Sequence, residues 1–207
     1  VSIFAALRHE SGLVVGNVIG SNIANIGLIL GICSVVSPML YSFKNIKGDL
    51  FFLMGITVLP IITINFNYMN FYSGLFYIFI LCVYCVYIVL SDHKIEDIDS
   101  TTSRGENIFL FIGILGLGFG SHLFVEGAVK IAEILGLESV VVGMTIVAIG
   151  TSLPELATTL VAIKKNESSL AIGNIIGSNI MNIVAVLGVA FLISEVNLVS
   201  SFINIQL

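Results

Sequence analysis

Glu155 lies in the middle of the apolar run VVVGMTIVAIGTSLPELATTLVAI, with Thr151, Ser152 and Pro154 beside it. An ionised acid at the centre of a membrane helix costs about 2.5–3.5 kcal/mol on insertion scales, so such a residue faces an internal site. Ala148, Thr151, Ser152 and Glu155 are spaced to share one face of a helix. Pro154 removes a backbone donor and frees the carbonyl of Gly150, which predicts a broken helix lining a cavity. Ser178 and Asn182 are again four apart and share a face. Together these residues offer a carboxylate, hydroxyls, an amide oxygen and a free carbonyl. That set suits hard cations, which take oxygen ligands. Soft-metal ligands do not cluster here, which argues against zinc or copper.

The same stretch carries a duplication. Residues 16–26 read GNVIGSNIANI and residues 173–183 read GNIIGSNIMNI; an offset of 157 aligns 1–32 with 158–189 at 15 identities. Ser21 and Asn25 in the first copy therefore correspond to Ser178 and Asn182 in the second. Asn17, Asn22, Asn174 and Asn179 are read as structural residues that bond frayed backbone. Gly16, Gly20, Gly173 and Gly177 are spaced GxxxG-like, as glycines that allow membrane helices to approach closely. Glu126 has Lys130 one turn beyond it, which predicts a helix-end ion pair. His122, one turn before Glu126, is read as a hydrogen-bonded structural residue.

The elements that must hold these groups are membrane helices. The chain is 57% hydrophobic and 10% charged, with a mean hydropathy of +1.09. Soluble domains carry about 25% charged residues. A formal net charge of −5 without a basic patch gives no reason to expect a nucleic-acid partner. Cys82 and Cys85 form a CxxC inside LCVYCVY, and Cys33 also lies in an apolar run. With no His or Cys companions, all three read as small residues of membrane helices.

Polar and turn residues divide the chain into the tail of a helix at 1–7 and helices near 12–37, 48–66, 71–91, 106–136, 139–164 and 168–194. A last helix starts near 197. The polar loop 92–105 separates a first half, 1–91, from a second, 106–207. The repeats occupy 1–37 and 139–194, and the first one is incomplete. Lys44, Lys47, Lys94, Arg104, Lys164 and Lys165 fall on one side of the membrane and Arg8 and Lys130 on the other, six against two. The positive-inside rule then places the 92–105 loop in the cytoplasm. Five helix steps separate the two repeat copies, so they are inverted in the membrane, as in many secondary transporters.

GTSLPE at 150–155 with GNIIGSNIMNI at 173–183 resembles the second α-repeat of the Na⁺/Ca²⁺ exchangers of the cation/Ca²⁺ exchanger superfamily. GNVIGSNIANIGLILG at 16–31 resembles the later half of the first α-repeat. The likeness is to the prokaryotic members and runs along essentially the whole chain. It implies an all-α polytopic fold of two inverted five-helix halves, with this chain running from late in the second helix to early in the ninth. It implies Ca²⁺ and Na⁺ ligands at Glu155, Thr151 and Ser152, the carbonyl of Ala148, Ser178 and Asn182, and Ser21 and Asn25. Asn17, Asn174 and Pro154 take secondary roles.

Moving back 157 positions from Glu155 lands three residues before Val1. An acid in a GTSxPE-like segment is expected there. Asn182 stands where the K⁺-dependent branch has Asp, which makes K⁺ coupling less expected. Gly177 and Ser178 stand where Ca²⁺/H⁺ exchangers tend to carry an acid, which favours Na⁺. The implied activity is Na⁺/Ca²⁺ antiport without enzymatic chemistry or cofactor, in the inner membrane of a prokaryotic cell and in contact with the bilayer. Ca²⁺/H⁺ exchange, a cation channel, and a fragment inactive without further helices are the alternatives. Oligomeric state is not legible.

Overall fold

The computed structural model describes residues 1–37, 43–66, 68–90 and 106–193, and among these no strand occurs. The loop 92–105 and the helix expected from 197 lie outside the described residues. Seven helical rods result: α1 Ser2–Leu7, α2 Ser11–Val36, α3 Phe43–Asn65, α4 Phe71–Leu90, α5 Glu106–Leu135, α6 Ser139–Lys164 and α7 Ser168–Ile193. Among the described residues five stretches, in α2, α3, α4, α6 and α7, are long and apolar enough to cross a membrane. They turn large apolar side chains outward, including Phe51, Phe79 and Val89. In water that surface would associate; facing lipid tails it needs no cover.

The duplication is visible in the backbone. Each repeat hairpin turns through one left-handed residue, His9 at φ 59° and Asn166 at φ 63°, which are equivalent under the 157 offset. The amide of Glu10 donates to the carbonyl of Ala5, and that of Glu167 to Ala162, both at 2.9 Å. These are the same helix-terminating bond in two copies. Left-handed backbone costs an ordinary L-residue about 1–2 kcal/mol, and Asn is among the few that tolerate it. Replacing Asn166 by Val is therefore expected to lower unfolding stability by about 1–2 kcal/mol, and by Gly hardly at all; thermal melts of the two variants in detergent check this.

Packing fixes the relative directions. The backbone of α2 lies directly on α6. A Cβ added at Gly20 would stand 2.5 Å from the Met144 carbonyl oxygen, and one at Gly143 would stand 2.9 Å from the Leu13 carbonyl oxygen. Contacts advance together along the two chains, from Gly12 against Ser139 to Gly20 against Ala148, so α2 and α6 run parallel. Because α6 and α7 form a hairpin, α2 is antiparallel to α7, its own repeat copy. The repeats are inverted. Elsewhere α4 closes on α7 through Gly74 and through Tyr77 edge-on to Phe191, with ring centroids 5.5 Å apart.

Two local expectations need correction. The helix does not break at Pro154; it runs unbroken from Ala148 to Lys164. The irregularity sits about two turns earlier, as a π-helical segment Gly143–Val147. A widened turn and nearby hydroxyls can re-satisfy groups that proline frees. Two further π segments, Ala24–Ile29 in α2 and Asn182–Leu187 in α7, were not foreseen at all. Finally, Glu126 pairs with Arg8 at 2.8 Å, across 118 residues, in place of the expected partner Lys130. His122 Nε2 stands 3.9 Å from the same carboxylate oxygen, and its ring leans on Phe4.

Candidate functional site

The π segments mark where α2, α6 and α7 meet. Asn25 lies within the first, Asn182 opens the third, and Ala148 follows the second. Single π turns inside α-helices are frequent at functional sites, since one residue is displaced from the regular ladder. Four polar side chains, Glu155, Asn174, Ser178 and Asn182, gather on one cleft here, although the spans themselves are strongly apolar.

Glu155, Ser178 and Asn182 come together on one cleft of about 360 Å³, with Gly173, Asn174, Gly177 and Met181 completing its lining. Among the described residues no basic group pairs with Glu155. Its Oε2 is buried and lacks a hydrogen-bond partner, as are the Oγ of Ser152 and the Oδ1 of Asn25. Leaving a buried acceptor unsatisfied costs about 1–3 kcal/mol, more when it is charged. Three such oxygens around one junction are what an oxygen-ligated cation would satisfy.

Thr151, Ser21 and Asn25 do not line that cleft. Thr151 instead joins the repeats: its Oγ1 donates to Asn17 Oδ1 at 2.9 Å and lies 3.1 Å from Ser21 Oγ. The same oxygen sits 2.9 Å from the carbonyl of Val147 and 3.2 Å from that of Ala148. One hydroxyl proton can serve only one of these acceptors at a time. Asn17 Nδ2 donates to Ser2 Oγ at 2.8 Å, and Asn174 Nδ2 to Thr159 Oγ1 at 3.0 Å. Those two bonds are equivalent under the repeat offset. Asn174 also reaches Thr158 Oγ1 and the carbonyl of Glu155.

The glycines part company here. Gly16 and Gly20 are pressed against α6, whereas a Cβ at Gly173 or Gly177 would meet nothing within 4 Å. Behind the junction lies a second, apolar cavity of about 480 Å³, walled by α2, α3 and α7 and including Asn22, Thr57 and Asn179.

A family model described as sodium/calcium exchanger protein matches residues 1–91 and 107–207. The chain belongs to that family. Its inverted helical repeat is the architecture of a membrane transporter. CaxA of Alkalimonas amylolytica, a putative antiporter, is 36% identical over 206 residues, covering 94% of this chain and 65% of its own length. The sodium/calcium exchanger MaX1 of Methanosarcina acetivorans is 32% identical over 234 residues, covering 91% of this chain and 67% of its own. A structure of the sodium-calcium exchanger NCX_Mj soaked with Na⁺ and Sr²⁺ matches at TM-score 0.67 and 35% identity, covering 93% of this chain and 64% of that one. The chain thus spans slightly under two thirds of CaxA and of NCX_Mj.

Among exchanger-family residues here, the sequence reading gave Asn22 and Asn179 only a backbone role. Asn22 does bond the carbonyl of Asn179, yet both also hold side-chain amides of the other repeat. The signal was available: the duplicated SNxxN places two amides three apart on each helix, and inverted copies bring unlike members together.

Proposed function

We propose that this chain forms most of a secondary antiporter that exchanges Na⁺ for Ca²⁺ by alternating access. The observation that carries the reading is Glu155, an unpaired carboxylate inside a membrane span, with Ser178 and Asn182 on the same cleft. In this reading Glu155, Ser152, Thr151 and the Ala148 carbonyl on α6, Ser178 and Asn182 on α7, and Ser21 and Asn25 on α2 are the cation ligands. Asn17 and Asn174 brace the hairpins. The names of CaxA, MaX1 and NCX_Mj support the class of cargo. The protein needs no cofactor beyond the ions it carries, and its setting is the bilayer of a prokaryotic inner membrane.

Residues 1–91 belong to the first half, 92–105 to a cytoplasmic loop and 106–207 to the second half. The two-fold relation supports one further part. A helix packed on Gly173 and Gly177, as α6 packs on Gly16 and Gly20, would bring the counterpart of Thr151 to Asn174 and Ser178 and the counterpart of Glu155 to the side of Ser21 and Asn25. Two carboxylates then balance one Ca²⁺, and several Na⁺ ions can use the same oxygens with neighbouring hydroxyls. One ligand set cannot hold both cargoes, so occupancy is exclusive and rocking of the inverted repeats yields exchange.

The test is ⁴⁵Ca²⁺ uptake by the full-length protein in proteoliposomes. An outward Na⁺ gradient is expected to drive uptake, and its replacement by choline to stop it. Uptake driven equally by a proton gradient without Na⁺ would instead make the partner ion H⁺. Flux indifferent to any counter-ion gradient would point to a channel.

A further inference from the structure

Asn25 and Asn182 can serve a cation only through Oδ1; the Nδ2 end of the same amide would repel it. Something must decide which end faces the site. In both residues Nδ2 is engaged across the repeat boundary: Asn182 donates to Asn22 Oδ1 at 3.0 Å, and Asn25 donates to Asn179 Oδ1 at 2.9 Å. The 157 offset turns residue 22 into 179 and residue 25 into 182, so this is one interaction made twice. In the ligand reading, each SNxxN motif supplies one amide as a ligand, Asn182 or Asn25, and one that holds the other motif's amide.

The two copies are not equally firm. Asn22 is itself fixed, because its Nδ2 donates to the backbone carbonyl of Asn179 at 3.3 Å. With Nδ2 turned to that carbonyl, the amide of Asn22 presents its oxygen to Asn182, and Asn182 answers with Nδ2. Its Oδ1 remains for the cleft shared with Glu155 and Ser178. Asn179 lacks the matching bond and keeps an unpartnered Nδ2, although it is completely buried. Neither Asn22 nor Asn179 lines the cation cleft; both border the apolar cavity behind it. The wall of that cavity is largely apolar, with Val18, Ile61 and Ile183 among its residues, and hydrogen bonds in such low-dielectric surroundings are stronger than in water.

We propose that Asn22 is a positioning residue that fixes the amide of Asn182 with its oxygen toward the transported cation, and that Asn179 does the same, less firmly, for Asn25. The inference rests on the ligand reading above. It explains why an amide can replace a carboxylate as a ligand without random orientation, and it ties both repeats together at the site itself.

A carboxylate at 182 would have two equivalent oxygens and nothing to orient, which supplies the test. In the full-length protein, Asn22→Leu is expected to raise the KM for Ca²⁺ in Na⁺-driven uptake about 5- to 20-fold, with kcat within about twofold, the loss of roughly one oriented ligand. In an Asn182→Asp background, the same Asn22→Leu change is expected to raise KM less than twofold. An equal rise in both backgrounds, or none in the Asn182 background, overturns the proposal. If Asn22→Leu is not monodisperse in detergent, Asn22→Ser replaces it, since the shorter hydroxyl cannot span the amide pair. Glu155→Gln is run alongside. Normal uptake there defeats the ligand reading itself, whereas lost uptake there with an unselective Asn22 effect defeats only the orienting role.

Discussion

Glu155→Gln is expected to lower Na⁺-driven Ca²⁺ uptake by at least about 100-fold. The argument is electrostatic. Breaking one half of a buried charge pair costs about 3–5 kcal/mol, and each 1.4 kcal/mol is a factor of ten in affinity. Gln keeps the size and one oxygen of Glu155 but removes the charge that compensates the divalent ion. The folded protein itself should tolerate the change, because the Oε2 of Glu155 has no partner to lose. Melting without Ca²⁺ is therefore expected to be unchanged or slightly raised. Saturating Ca²⁺ should stabilise wild type, by about 2.7 kcal/mol at a hundredfold excess over Kd, and leave the variant unmoved. Glu155→Asp keeps the charge one methylene further back and is expected to retain measurable uptake. A Gln variant that still shows the Ca²⁺-dependent rise in melting temperature would remove Glu155 from the site.

The helices were legible because lipid imposes a single rule: long apolar runs between polar punctuation must satisfy their backbones internally. The rods from 71 and from 139 begin where turn residues said they would, and the inverted repeats follow from counting helices. What the sequence concealed is finer. A π turn leaves apolar periodicity almost untouched, so nothing in ANIGLI or NIVAVL announces one. Pro154 is conspicuous, yet Thr151 back-bonds to the carbonyl of Val147 and Thr158 to that of Pro154 itself, and the helix continues. The Arg8–Glu126 pair is non-local, and local spacing could only suggest Lys130. Of the candidate site, residue types and shared faces were readable. Which amide meets which was not, because it depends on the antiparallel crossing of α2 and α7.

Gly20→Ala is expected to be among the most damaging single methyl additions at the described glycines. Its Cβ would stand 2.5 Å from the carbonyl oxygen and 2.7 Å from the Cα of Met144, and 2.6 Å from the Cβ of Ala148. Two of these three are backbone atoms of the π-helical turn, which cannot rotate away as a side chain can. Overpacking costs about 1–3 kcal/mol where neighbours can yield and more where they cannot, so about 3 kcal/mol is expected. The displaced residue is Ala148, whose carbonyl is a proposed ligand, so ion affinity should fall together with stability. Gly177 is the two-fold counterpart of Gly20, and a Cβ there meets nothing within 4 Å. In residues 1–207 alone, Gly177→Ala should be harmless or stabilising by up to about 1 kcal/mol, the helix propensity difference. In the full-length protein the same change should be as harmful as Gly20→Ala, because the proposed acid-bearing helix would rest there. Parallel melts of both variants in both proteins decide it. A harmless Gly177→Ala in the full-length protein would leave Glu155 without its two-fold partner and the charge balance for Ca²⁺ unmet.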